Sequence, residues 1–308
     1  DTGYGLTSGL ESLDDREQEH WQQRIRAGNL YINRPTTGAI VLRQPFGGMG
    51  KSAVGPGIKA GGPNYVAPLM TFHDTPLSAP PTASRYSSGS PDSQMLADLH
   101  QALGNYLAVT KSSPFAAEDL DRILLAIDSY KHWAAEEFHA EHDHFWLLGE
   151  DNFRHYRPVG HLRIRIHGDD SVFDVFARAT AARAAGCRTT VSSPPGLAGT
   201  AMEAVRLLDD LTESWGAAIE FVTESDAELA RAILSHQTVH VRFAAPDRVP
   251  LNVRRAAADS LQYIADTRPI AHGRVELLWY FQEQRLSMVY HRYGNLGARA
   301  NEVRDEPA

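Results

Sequence analysis

The chain's 308 residues suffice for one large or two modest domains, each with a substantial core. A formal charge of -8 argues against nucleic acid as a partner of this part, since neutralising phosphates needs clustered Lys and Arg, and a single cysteine leaves no internal disulfide. Apolar stretches such as Val275–Phe281 are far too short to span a membrane, so a soluble, cytoplasmic protein is expected.

In chain order, the first expected element is a helix over Asp14–Ala27, with acids in its first turn, arginines in its last and Gly28 to stop it. Leu30–Asn33 reads as a short strand. It enters the most informative stretch, Asn29–Gly62 (NLYINRPTTGAIVLRQPFGGMGKSAVGPGIKAGG). Closely spaced glycines let a backbone turn through positive φ and approach a ligand with no Cβ in the way. Amides freed in this manner can hold a carboxylate, and with Phe46 alongside they suit an anionic substrate next to a nucleotide cofactor. The bland alternative for Pro45–Gly48 is a tight turn.

Residues 74–93 (DTPLSAPPTASRYSSGSPDS) are rich in Pro, Ser and Thr without apolar periodicity and read as a linker. Two polar helices follow, over Gln94–Leu107 and Ala116–Glu137. Strands at Leu162–Ile166, Arg188–Ser192, Ala218–Val222 and Val239–Phe243 then alternate with helices at Val172–Ala185, Ala201–Trp215, Asp226–Ser235 and Val253–Ala265. Fourfold alternation of this kind implies right-handed crossovers and a parallel, doubly wound sheet.

Such a sheet invites a dinucleotide site, which needs a glycine-rich turn leading into a helix N-terminus. After the first strand stands His167-Gly168-Asp169-Asp170, where two carboxylates would repel a diphosphate. After the second stands Ser193-Pro194-Pro195-Gly196-Leu197-Ala198-Gly199, and after the third Thr223-Glu224-Ser225-Asp226. A Rossmann-like shell without cofactor is the better expectation. Cys187 opens the apolar segment CRTTVSS and reads as the start of a core strand, not as a nucleophile. His139, His142 and His144, with Glu136, Glu137, Glu141 and Asp143 nearby, have the spacing of metal ligands but follow a charged helix end, so no metal is expected. Glu150-Asp151 and Asp169-Asp170 read as caps or solvated turns. The aromatic tail, Leu277, Leu278, Tyr280, Phe281, Leu286, Val289 and Tyr290, fits either a docking segment or the last core helix.

Thr2–Pro68 closely resembles the end of an aldehyde dehydrogenase, specifically L-glutamate γ-semialdehyde (1-pyrroline-5-carboxylate) dehydrogenase. The resemblance rests on Gln44-Pro45-Phe46-Gly47-Gly48 after a loop reading Thr36-Thr37-Gly38-Ala39-Ile40, flanked by GAIVLRQ and IKAGGPNYV. It implies that the amides of Gly38 and Ala39 hold the substrate carboxylate and that Phe46 packs on its aliphatic part. That family attacks its aldehyde with a cysteine thiolate, forming a hemithioacetal that yields hydride to nicotinamide and then hydrolyses as a thioester. Its cysteine and glutamate base are expected upstream of the loop, where this chain has only 37 residues, so no catalytic residue is assigned here.

Residues 142–298, especially HDHFWLLGEDNFRHYRP and RVELLWYFQEQRLSMVYHRYGNLGAR, resemble the extra C-terminal domain of long bacterial proline utilization A proteins. These join a flavin-dependent proline dehydrogenase to the semialdehyde dehydrogenase. The resemblance implies a noncatalytic aldehyde-dehydrogenase-like domain that helps cover the tunnel between sites, with a terminal docking motif at Glu276–Gly297. The expected fold is α/β: the end of an aldehyde dehydrogenase catalytic domain at 1–73, a linker at 74–93, and a Rossmann-like domain with a mostly parallel sheet at 94–308.

The chain starts at Asp1 and is expected to be a C-terminal piece, inactive alone, of an enzyme using NAD for the aldehyde step and FAD for the proline step. Its expected partners are a small-molecule substrate and upstream domains of the same polypeptide. Homo-oligomerisation is left open, and membrane attachment would come only through the proline dehydrogenase part. The alternatives are a noncatalytic structural or interaction module, and a monofunctional semialdehyde dehydrogenase with the same extra domain.

Overall fold

The computed structural model describes residues 2–53, 55–75, 91–110, 112–238 and 240–304. The expected linker therefore lies for the most part outside the described residues. Strands β1 (Tyr4–Gly5) and β2 (Thr7–Leu10), helix α1 (Asp15–Arg24), and strands β3 (Asn29–Ile32) and β4 (Met49–Gly50) come first. Helices α2 (Pro91–Val109) and α3 (Ala117–Trp133) follow, the second running on into a π turn at Ala134–Phe138. Strand β5 (Glu150–Pro158) precedes the alternating series β6 (His161–Arg165), α4 (Val172–Ala184), β7 (Arg188–Ser193), α5 (Gly199–Leu211), β8 (Ile219–Thr223), α6 (Asp226–Leu234), β9 (His240–Arg242), α7 (Leu251–Asp259) and β10 (Ile264–Ala265). Helix α8 (Gly273–Glu276) and strand β11 (Phe281–Val289) complete the series.

Contacts divide the chain into two compact units that do not follow the linear boundaries expected from the sequence. The first unit takes Asp1–Met70, His139–Arg157 and Gln282–Ala308; the second takes Thr71–Phe138 and Pro158–Phe281. The aromatic tail is accordingly not a last core helix. It forms the four-residue α8 and a 3-10 turn at Leu277–Trp279, and then becomes β11, a strand of the first unit.

The first unit is built on a four-stranded sheet in the order β2-β3-β11-β5. Both β2 and β11 run parallel to β3, with Leu286 opposite Leu30 and Met288 opposite Ile32. Successive side chains of a strand point to opposite faces. One face therefore carries Leu30, Ile32 and Leu286, which cluster with Ala27, Trp21 and Ile25 from α1 and its exit. On β11, Glu283, Arg285 and Ser287 alternate with these apolar residues and are buried as well. Helix α1 starts on Asp14, whose side chain accepts from the Arg16 amide, and stops at Arg24, short of Gly28. Gly28 is needed for close approach and not as a stop signal: a Cβ there would collide with the Gly47 carbonyl oxygen.

The second unit contains the doubly wound sheet, all parallel, in the order β10-β9-β6-β7-β8. Every residue of α4 is buried except Asp174. Its alanines at 177, 179, 181, 182 and 184 suit a helix packed against α3, α5 and the sheet, because small side chains let backbones come close. A capping box between Ser171 and Asp174 starts α4, and another between Ser225 and Glu228 starts α6, each worth about 1 kcal/mol. Leu229, Ile233, Val241, Phe243 and Val253 form the core between α6, β9 and α7.

Candidate functional site

The sequence between β3 and residue 62 folds as two backbone loops in the first unit. In the first, Ile40 and Gln44 exchange hydrogen bonds, N to O at 3.0 and 2.7 Å, so residues 41–43 turn tightly with Leu42 at φ 60°. The Leu42 amide also reaches the Gly61 carbonyl at 2.8 Å. The Tyr31 hydroxyl donates to the Gly38 carbonyl at 3.1 Å. Gly38 has φ 123°, and a Cβ there would sit 2.8 Å from Gln44 Oε1, so conformation and space both demand glycine. Gly38 and Ala39 are exposed, and among the described residues neither amide donates a hydrogen bond.

The neck of this loop is closed by a residue 106 positions further along the chain. Glu150, the first residue of β5, receives Arg34 Nη1 on Oε1 at 2.7 Å and Arg43 Nη2 on Oε2 at 2.6 Å. Gln44 Nε2 adds bonds to Glu150 Oε1 at 3.0 Å and to Asn152 Oδ1 at 3.2 Å. The Glu150 side chain is 16% exposed, which places the cluster out of full solvent.

The second loop carries Phe46, which is half-buried and exchanges backbone bonds with Ala60, both 3.0 Å. Asn29 fixes the turn that follows, donating to the Pro45 carbonyl at 2.9 Å and accepting from the Gly47 amide at 3.1 Å. Lys59 is fully buried, and its ammonium donates to the Gly47 and Gly48 carbonyls. Burial pushes its pKa down to about 7, against the pull of Glu283; Arg285 adds to the fall. Glu283 in turn accepts from the Lys59 amide at 3.0 Å and from Asn64 Nδ2 at 2.6 Å, while Asn64 also donates to the Tyr156 hydroxyl. A buried polar layer made by β5 and β11 thus shapes both loops.

Sequence reasoning placed Gly38, Ala39 and Phe46 on loops, and the structure puts them on two neighbouring loops tied together through Leu42–Gly61. It missed Glu150, Lys59, Glu283 and Asn64. Glu150 and Asp151 are not solvated turn residues. Asp151 is 1% exposed and holds Arg299 and Arg304, with the Arg299 guanidinium stacked 3.8 Å from the Tyr290 ring centroid. No local signal marks the contacts of Glu150, Asp151 and Glu283, since the side chains and amide they hold lie more than a hundred residues away.

In the second unit, the strand order reverses between β6 and β9, which is where an open parallel sheet binds a dinucleotide. That crevice is filled by protein groups. Asp170 is not a solvated turn residue: it is fully buried, paired with Arg178, and accepts Arg248 Nη1 at 2.7 Å. Arg178 also donates to the Arg165 carbonyl at 2.7 Å, and Arg248 to Asp174 at 2.9 Å. The residues present do not fit NAD. A cavity of about 530 Å³ lies elsewhere, beside β8 and α6, where Arg163 is already paired with Glu224. Cys187 is completely buried, its Sγ 3.7 Å from the Tyr280 carbonyl oxygen, and burial pushes its thiol up to about 12. A thiol so held is not a nucleophile at neutral pH. Among the described residues no group of three or more His, Cys, Asp or Glu is arranged to hold a metal, and no helix is long and apolar enough to cross a membrane.

Residues 1–73 match the aldehyde dehydrogenase family. Beyond this segment, the chain is similar to proteins of the proline utilization A type, of which it spans only a small part. It is 55% identical over 75 residues to the bifunctional protein PutA of Rhizobium meliloti, a match covering 24% of this chain and 6% of that protein. It is 48% identical over 74 residues to a 1-pyrroline-5-carboxylate dehydrogenase of Bacillus cytotoxicus, covering 24% of this chain and 14% of that protein. The structure of proline utilization A from Corynebacterium freiburgense superposes on 95% of this chain with a TM-score of 0.64 and 30% identity, and the chain corresponds to 24% of it.

Proposed function

We propose that this chain is part of a longer polypeptide that oxidises L-glutamate γ-semialdehyde, formed from 1-pyrroline-5-carboxylate, to L-glutamate with NAD, and that oxidises proline with FAD in another part. The first unit supplies the carboxylate anchor, through the amides of Gly38 and Ala39, and Phe46 against the aliphatic part of the substrate. The nucleophilic cysteine, the general base and the residues that hold NAD and FAD lie outside this chain. The second unit is a noncatalytic domain that covers the passage between sites.

One observation carries this reading: two adjacent exposed amides that find no acceptor among the described residues, on a loop whose neck is already closed by Glu150. Preorganised amides of this kind bind a carboxylate without having to order the loop at the moment of binding. The structural likeness over 95% of the chain extends through the second unit and supports a parent that carries that unit. Steady-state kinetics of the full-length polypeptide provides the test. Gly38→Ala and Phe46→Ala are each expected to lower kcat/KM for glutamate semialdehyde at least tenfold while affecting propanal, which has no carboxylate, far less. Equal loss for both aldehydes, or no loss, would refute the anchor.

A further inference from the structure

We infer that Glu150 is a positioning residue that sets the specificity of the anchor loop for a carboxylate-bearing aldehyde. The inference rests on the anchor proposed above and adds a residue to it from a different part of the chain. Arg34 and Arg43 stand at the two ends of the segment that contains Gly38 and Ala39, and both guanidinium groups engage the same carboxylate, one on each oxygen, at 2.7 and 2.6 Å. A single side chain therefore closes the neck of a loop whose tip is exposed.

Three features indicate positioning and not merely surface pairing. All three side chains are largely covered, with exposures of 17%, 28% and 16% for Arg34, Arg43 and Glu150, so the pairs are less screened than exposed ones. Gln44, whose Oε1 limits position 38 to glycine, is held by Glu150 and by Asn152, two residues further along the same face of β5. Asp151, between them, points to the opposite face and fastens Arg299 and Arg304, so the start of β5 is itself pinned. Glu150 also neutralises part of the charge of two arginines. Its removal leaves two cations near the loop but frees the neck, which predicts a loss of geometry and not of charge attraction.

The experiment uses the full-length polypeptide with Glu150→Ala, Glu150→Gln and, as a surface control, Arg16→Ala. Hydrogen exchange of peptides over residues 34–44 reads the loop directly through the amides of Ile40, Leu42 and Gln44. Glu150→Ala is expected to speed exchange there at least tenfold, with β3 and α1 within twofold of wild type. It is expected to raise KM for glutamate semialdehyde about tenfold with kcat within twofold, and to leave KM for propanal unchanged. Glu150→Gln, which retains an acceptor and the side-chain length, should recover part of both effects, and Arg16→Ala should show neither.

Unchanged exchange in 34–44, faster exchange across the whole first unit, or an equal rise in KM for both aldehydes would each overturn the inference. If the wild-type polypeptide does not oxidise glutamate semialdehyde, the proposed function fails, and the inferred specificity role fails with it. The exchange measurement then still shows separately whether Glu150 holds the loop.

Discussion

The two units place their polar and apolar groups in opposite ways. The second unit hides its apolar residues: among its described residues only Val109, Leu234, Leu251 and Leu261 are large, apolar and exposed, and its buried charges, Asp170 with Arg178 and Arg242 with Glu276, are paired inside. The first exposes Tyr4, Leu13, Val41, Tyr65, Val66, Leu69 and Met70, while its interior holds Lys59, Glu283, Arg285 and Asn64 under the loops. A unit that satisfies its own groups behaves as a shell. A unit that spends its interior on shaping loops and leaves apolar groups outside offers those groups as a surface on which further protein can pack.

The largest expected effect lies in the shell. Asp170→Ala leaves Arg178 buried and uncompensated, and should destabilise the second unit by about 3–5 kcal/mol, read as an earlier denaturant midpoint for peptides of α4 and β6. A change below about 1 kcal/mol would mean that the filled crevice contributes little to the fold. Next in size is the contrast between the units themselves. In the isolated 308-residue chain, residues 1–70 should exchange their amides orders of magnitude faster than β6 and β7, as expected for a unit of low local stability. Equal protection would erase the contrast.

A smaller effect should follow pH. Burial pushes His155 down to about 4; a bond to Gln284 opposes this, and nearby Arg157 and Arg285 add to it. The unfolded chain takes up a proton near pH 6.5 that the folded unit refuses, so stability is full above about 6.5 and falls as pH drops toward 4. His155→Gln should flatten that dependence in the first unit without altering the second. The smallest effect is expected at Arg16→Ala, an exposed pair with Asp14, whose thermal melting should not differ measurably from wild type.

The parallel sheet of the second unit was legible because strand and helix periods alternate cleanly from residue 161 to 265, and the structure shifts most of those boundaries by one or two residues. That Gly38, Ala39 and Phe46 lie on loops was legible from the glycines around them, and their proposed anchoring role comes from the family resemblance alone. Strand β11 was not: Gln282-Glu283-Gln284-Arg285 looks solvated, yet all but Gln282 are buried, and the partners of Glu283 and Gln284, namely Lys59, Asn64, His155 and the Ala27 carbonyl, come from distant segments. Glu150 was hidden for the same reason. A polar residue whose partners lie a hundred positions away carries no periodic signature.

The most direct measurement is NAD-dependent oxidation of glutamate semialdehyde by the 308-residue chain alone, beside the full-length polypeptide carrying Cys187→Ser. No turnover by the chain and wild-type turnover by Cys187→Ser are predicted, since the buried thiol takes no part. Turnover by the chain, abolished by Cys187→Ser, would contradict this and place the nucleophile in the second unit.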